Sequence, residues 1–233
     1  MIPLRDNILN YRKPIVIYWL IGINIALFLW ELKLDVSGEL GNVVTSWGVI
    51  PSLFGAAVRD TLSGNPAAGL VVVVRSTSLL VGMFLHSSFS QIVGNLIFLW
   101  VFGKSVESLL GHGKFLVFYL ASGILTGLVQ ILVEPSLTVP LIGANGAIAS
   151  ILGAYILLFP KARIDTIIPI LIIFITVEIP ASFYLFWWFV QQLFYGIGSL
   201  NIPGGVNHGG IGYWAHSAGI IIGVALIRLL HRR

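Results

Sequence analysis

The chain has 233 residues, 57% of them hydrophobic and 9% charged, with a formal net charge of +4 and a mean hydropathy of +0.97. Soluble domains carry about 25% charged residues, so a chain this poor in charge cannot cover a soluble surface and reads as a polytopic membrane protein. The absence of cysteine excludes a disulfide framework, a thiol nucleophile and a thiolate metal site, and the basic residues sit at the ends of apolar runs, which marks membrane topology rather than nucleic-acid binding.

Residues 1–13 are polar and basic (Arg5, Arg12, Lys13). A cleavable signal peptide is not expected, because Arg12-Lys13 precedes a run long enough to span and no small-residue cleavage site follows. The first span is predicted from Pro14 to Trp30, with Pro14 at the helix start, where its missing N–H costs little. Glu31, Lys33 and Asp35 are expected to end it. Residues 31–78 mix Gly, Pro, Ser and charges with apolar clusters. Val71–Val74 is too short to cross a bilayer, so this stretch is expected to be a long outer loop on the membrane interface. The second span is predicted from Ser90 to Val106, with Met83–His86 leading into it and Glu107 as a solvated helix end. The third runs from Phe115 to Val133, and the fourth from Asn145 to Phe159, closed by Pro160-Lys161-Ala162-Arg163. Residues 164–179 are apolar but interrupted by Pro169 and Glu178, and are expected to form an interfacial segment. The fifth span is predicted from Ala181 to Tyr195, a Gly/Asn/Pro loop covers Gly196–Gly212, and the sixth span runs from Tyr213 to Leu230.

These boundaries define an all-α, six-span protein forming a single membrane domain over residues 1–233. With the N-terminus inside, the inner segments carry Arg5, Arg12, Lys13, Lys104, Lys114, Lys161, Arg163, Arg228, Arg232 and Arg233, against Lys33, Arg59 and Arg75 outside. That asymmetry predicts an integral multi-pass protein with both termini cytoplasmic. It also puts Asn145 at the outer end of span four and His216 just inside the outer end of span six, at a shared depth.

Polar side chains inside a membrane are costly and usually face the protein interior or a water-filled cavity. His216 adjoins a stripe of small residues, Ala215, Gly219 and Gly223, four apart on one helix face. Span four carries a matching stripe, Gly146, Ser150 and Ala154, with Gly143 just before it and Asn145 beside it. Spans four and six are therefore expected to pack through these glycines, with Asn145 and His216 near the seam. Gln91 and Asn95, four apart on span two, could donate hydrogen bonds to a substrate oxygen or serve as polar glue between helices. His86, His112, His208, His216 and His231 show no ligand-type spacing, so no metal is expected. Without a P-loop or a dinucleotide fingerprint, no cofactor is expected either.

Taken together, these residues resemble the rhomboid family of intramembrane serine proteases. Phe84-Leu85-His86, Gly94-Asn95 and Phe102-Gly103-Lys104-Ser105-Val106-Glu107 are similar to the family's second span. Gly111-His112-Gly113 with Phe118-Tyr119-Leu120-Ala121-Ser122-Gly123 is similar to its third. Gly143-Ala144-Asn145-Gly146 aligns with its Gly-x-Ser-Gly motif, and Ala215-His216-x-x-Gly219-x-x-x-Gly223 with its catalytic-histidine helix. Two positions depart from the pattern. Asn145 stands where the family has its nucleophilic serine, and Gln91 stands where the oxyanion pair has its histidine, leaving Asn95.

An amide cannot become a nucleophile by losing a proton to histidine, so Asn145 should not form an acyl-enzyme. Ser150 lies roughly 140° round the helix from Asn145 and a turn deeper. Ser217 points elsewhere, and Ser87, Ser88 and Ser90 lie near the mouth. Two independent departures point to drift away from proteolysis. The resemblance therefore implies a proteolytically inactive rhomboid-like protein whose partners are the lipid bilayer and the transmembrane segments of client proteins, with no nucleic acid. The alternatives are an active serine endopeptidase using another serine, and a small-solute channel or transporter. No mid-span acid or inverted repeat supports the latter.

Overall fold

A computed structural model describes residues 1–170, 173–199 and 213–231, the side chains of 169, 170, 173, 192–199 and 213 aside. Arg232, Arg233, His208 and the loop at 200–212 lie outside the described residues. The chain is mostly helical and forms a bundle of apolar helices. In order it contains strand β1 (Ile2–Asp6), then helices α1 (Ile15–Ser37), α2 (Leu40–Trp47), α3 (Pro51–Leu62) and α4 (Pro66–Val81). A 3-10 turn (Gly82–Phe84) leads to α5 (Phe89–Phe98), a π-helical turn (Leu99–Gly103) and α6 (Lys104–Leu110), which together make one continuous rod. Helices α7 (His112–Val133) and α8 (Asn145–Leu158), strands β2 (Arg163–Ile170) and β3 (Ile173–Pro180), and helices α9 (Ala181–Ser199) and α10 (Tyr213–Leu230) complete the order. By length and composition Ile15–Ser37, Pro66–Phe84, Phe89–Leu110 and His112–Val133 can each cross a membrane, and Asn145–Leu158 and Trp214–Leu230 are shorter apolar helices.

Helix α8 forms the centre. Gly146 to Tyr155 are all buried, so a helix apolar on every side is enclosed by its neighbours rather than by lipid. It packs on α10 backbone to backbone. A methyl group at Gly223 would overlap the Ser150 carbonyl oxygen, and one at Gly153 would overlap the Ile220 carbonyl. One at Gly219 would come within 2.6 Å of the Ala149 Cβ and 2.7 Å of the Gly146 carbonyl oxygen. The expected small-residue seam is thus present at Gly219 and Gly223. Gly146 takes a different partner: its own Cα faces Thr126 of α7, so α8 is clasped from two sides.

Three regions hold structure that the sequence reading did not assign. Residues 31–78, expected as a long outer loop on the membrane interface, fold into the end of α1 and helices α2, α3 and most of α4. Val71–Val74 belongs to a helix that continues through Phe84 and is long enough to span. Glu31 does not end the first span, because α1 runs on to Ser37 and Glu31 is 1% exposed. Its neighbours on the buried face are Ile17, Leu20, Asn24 and Phe28, a spacing of three and four that Glu31 simply continues. Residues 164–179, expected as an interfacial segment, lie in a β-hairpin of β2 and β3. β1 pairs antiparallel with β2, Ile2 opposite Ile167 and Asp6 opposite Ile164, and β2 pairs with β3, Arg163 opposite Pro180.

The sheet closes one end of the bundle. Asp6 accepts hydrogen bonds from the Ser105 hydroxyl (2.6 Å) and the Tyr155 hydroxyl (2.9 Å), with Lys104 Nζ at 3.4 Å. At the same end Glu107, expected as a solvated helix end, is fully buried. Its carboxylate accepts from the Val16 N–H (2.9 Å), the Ile17 N–H (3.0 Å) and His112 Nδ1 (2.6 Å). First-turn N–H groups have no acceptor within their own helix, so a carboxylate there satisfies orphan donors and complements the helix dipole. Lys114 Nζ reaches the Leu230 carbonyl (3.0 Å) and Asn7 bonds Arg163. These links gather Arg5, Arg12, Lys13, Lys104, Lys114, Lys161, Arg163 and Arg228 at one end.

Adding a methyl at Gly223 should lower the stability of the detergent-solubilised protein by about 1–3 kcal/mol, since it overfills a backbone contact. Gly22→Ala is the matched control: nothing lies within 4 Å of a Cβ there, and the change should be neutral or stabilising by up to about 1 kcal/mol. Thermal unfolding of the two variants checks the difference.

Candidate functional site

At the end opposite the sheet, α5, α8, α9 and α10 enclose a cavity of about 340 Å³. Gln91, Asn95, Asn145 and His216 all line it, together with Trp188 and Ser87, Ser88 and Ser90. Four polar positions that the sequence distributes over 126 residues (91 to 216) therefore meet at one place.

Asn145 is the first residue of α8 and is half-buried. The chain is brought to it by a strap. Val49 and Leu141 exchange backbone hydrogen bonds (3.0 and 2.8 Å), and the Gly143 N–H donates to the Gly82 carbonyl (2.8 Å). Gly143 has φ +112°, a conformation that disfavours any side chain. A Cβ there would also overlap the Gln91 amide nitrogen. Gly143 is thus a turn residue against Gln91, not a helix-packing residue.

His216 lies in the first turns of α10 and is 8% exposed. Its ring stacks on Trp188 of α9, centroids 5.8 Å apart and planes 28° from parallel. One residue earlier, the Ala215 N–H donates to Gln130 Oε1 of α7 (3.0 Å), and the Gln130 amide bonds Glu134 in turn. Gln130 is buried, so this contact satisfies an orphan N–H at the start of α10 and fixes the turn that carries the histidine.

Gln91 is committed on both sides. Its Nε2 donates to the Ile142 carbonyl (3.0 Å), and its Oε1 accepts from the Ser87 N–H (2.8 Å) and the Ser87 hydroxyl (3.0 Å). It staples the start of α5 to the turn before α8, keeping one amide proton for the cavity. Asn95 Nδ2 lies 3.2 Å from His86 Nε2. An amide nitrogen only donates, so His86 accepts at Nε2 and carries its proton on Nδ1. Burial pushes the His86 imidazole down to about 4, which keeps it neutral at pH 7. The His86 backbone N–H is held by both oxygens of Glu31, at 2.9 and 3.2 Å. A buried line of contacts therefore runs from Glu31 through His86 to Asn95.

Ser88, Ser90 and Ser150 are engaged locally. The Ser88 hydroxyl accepts from the Gln91 N–H (3.2 Å) and caps α5, with Ser90 Oγ at 3.1 Å. The Ser150 hydroxyl is fully buried and donates to the Gly146 carbonyl (3.0 Å). Among the described residues, no group of three His, Cys, Asp or Glu is placed to hold a metal ion.

Glu31, Gln130 and Trp188 escaped the sequence reading. Glu31 was legible as the next step of the α1 buried stripe, and Gln130 as the last of Ser122, Thr126 and Gln130, four apart on α7. Trp188 carries no such signal, since Phe183, Phe186 and Trp187 beside it are exposed.

A family model described as "Rhomboid domain" matches residues 75–233. Among curated relatives, "Rhomboid protein 1, mitochondrial" of Saccharomyces cerevisiae is 28% identical over 64% of this chain and 38% of its own length. "Presenilin-associated rhomboid-like protein, mitochondrial" of Homo sapiens is 30% identical over 51% of this chain and 30% of its own length. "Rhomboid-like protein 11, chloroplastic" of Arabidopsis thaliana is 26% identical over 98% of this chain and 70% of its own length. The chain thus spans about a third of the length of the first two.

Replacing Glu31 with leucine should destabilise the protein by about 1–3 kcal/mol, because the buried His86 N–H loses its acceptor. Glu31→Gln keeps a carbonyl oxygen at that place and should retain most of the stability. Equal melting temperatures for the two variants would contradict the contact's importance.

Proposed function

The chain belongs to the rhomboid family, and from that premise we propose that it is a non-proteolytic member that holds transmembrane segments of client proteins at the cavity. The observation that carries this reading is the residue at the start of α8. The family's acyl transfer needs a hydroxyl that loses its proton to the histidine as it attacks a carbonyl. Asn145 offers an amide whose nitrogen lone pair is delocalised and whose N–H is far too weak an acid for an imidazole to deprotonate. Loss of a nucleophile alone removes about 10⁶ in rate.

The neighbouring hydroxyls support the same reading. Ser150 is sealed against α10 and bonded to Gly146. Ser87 and Ser88 are bonded to Gln91. The amide of Gln91, at the family's histidine position, is spent on structure on three of its four sides. What is retained is a polar cavity in an apolar bundle, walled by α5 and α9. Those two helices meet through large rings here, Phe98 against Tyr184 (6.3 Å) and Trp188 (6.2 Å). The cavity's carboxamides and hydroxyls can both donate and accept, which suits the exposed backbone of a helix end entering from lipid. Both termini are assigned to the cytoplasm, because the basic residues collect at the sheet end of the bundle.

The test is cleavage of a labelled transmembrane substrate in reconstituted bilayers by the unaltered chain, by Asn145→Ser and by the double variant Asn145→Ser/Gln91→His. The unaltered chain should show none, the single variant little, and the double variant the most. His216-dependent cleavage by the unaltered chain would overturn the inactive reading. Photo-crosslinking from Phe98 to a single-pass client segment tests binding, and its absence with the fold intact would overturn the client reading.

A further inference from the structure

The β-hairpin extends beyond the strand it pairs with. β1 begins its pairing at Ile2 opposite Ile167, so the pairs Ile168–Ile175 and Pro169–Phe174 overhang it. Along this part the polarity changes abruptly. The base carries exposed ion pairs, Arg5 with Asp165 (2.6 Å) and Arg163 with Glu178 (3.1 Å). By contrast, residues 167–175 contain no polar side chain. One face of the base is packed on the bundle, with Ile164 and Thr166 fully buried. On β3, Phe174 is 69% and Ile175 43% exposed, and as neighbours on a strand they present an open apolar side chain on each face.

We infer that this overhang is a lipid anchor, lying at the headgroup–acyl boundary of the leaflet at the basic end of the bundle. Three observations select lipid as its occupant. The hairpin sits level with the end of the spans: the Tyr184 hydroxyl of α9 donates to the Met1 carbonyl (3.2 Å), and the Ala181 N–H to the Ala162 carbonyl (2.8 Å). Its exposed Phe174 lies on the strand that runs directly into α9, whose exposed Phe183, Phe186 and Trp187 begin within a turn of the strand's end. And its depth is bounded on both sides. Open rings in water would be an exposed apolar patch. Among the described residues the outer edge of β3 has no neighbouring strand, and unpaired N–H and C=O groups there disfavour the hydrocarbon core. The boundary layer, which wets the backbone and takes the rings, satisfies both conditions. Because β3 ends at Pro180 and α9 starts at Ala181, the anchor grips the base of the helix that carries Trp188.

The chain has no cysteine, so single nitroxide labels can be placed on the full protein in lipid bilayers without removing any other thiol. Labels at Phe174→Cys, at Phe183→Cys on the lipid-facing side of α9 and at Tyr11→Cys in the polar N-terminal segment are compared by collision with oxygen and with a water-soluble nickel chelate. The oxygen-to-nickel ratio at 174 should exceed that at 11 several-fold and approach that at 183. A ratio at 174 matching position 11 would overturn the anchor. So would spin–spin broadening at 174, which would show the hairpin meeting a second copy of the chain instead. The ratio at 183 sets the value of a lipid-facing site, and an unchanged melting temperature of each labelled variant reports that its bundle is folded.

Discussion

The rest of the structure depends on the backbone contact between α8 and α10. In lipid there is no hydrophobic drive between helices, so association rests on close packing and on polar contacts. Gly153, Gly219 and Gly223 provide the packing, since each leaves room for a carbonyl of the other helix where a methyl would collide. A contact this close fixes register along both helices. Once Gly223 sits over Ser150 and Gly219 over Ala149, the start of α8 and the first turns of α10 are held at one end of the bundle. Asn145 and His216 meet there as a consequence. The 14 residues of α8 span about 21 Å, well short of the roughly 30 Å hydrocarbon thickness.

The polar residues near the cavity divide by what they do. Most of them hold the scaffold. Glu31 secures the loop before α5, His86 links that loop to Asn95, Gln91 ties α5 to the turn before α8, and Gln130 caps α10. Each satisfies a buried backbone or side-chain group that would otherwise cost about 1–3 kcal/mol. The arrangement of the cavity is thus maintained by contacts of residues other than Asn145.

How much was legible in the sequence follows from how local each interaction is. Helix α8 and helix α10 were read to within a residue, because a Pro-Lys stop, a glycine turn and a stripe of small residues are local signals. The meeting of Asn145 and His216 followed from topology and the matching stripes. Glu31 and Glu107 were misread for a shared reason. A charge near the end of an apolar run marks either a solvated helix end or a buried cap, and only the distant partners, His86 for one and the start of α1 for the other, distinguish the two. The hairpin was missed because its stabilising pairing joins residues 2–6 to residues 164–167, and because its run of isoleucines hides the alternation that marks a strand. Residues 31–78 hid three helices, since Gly and Pro read as breakers even where, as at Pro51 and Pro66, they start a helix.

The central claim is that this rhomboid scaffold carries no activated hydroxyl at its histidine. Reaction of the unaltered protein in bilayers with a fluorophosphonate or isocoumarin, followed by intact mass measurement, tests it most directly. The account predicts a mass unchanged by the probe. A covalent adduct that disappears on His216→Ala would contradict it.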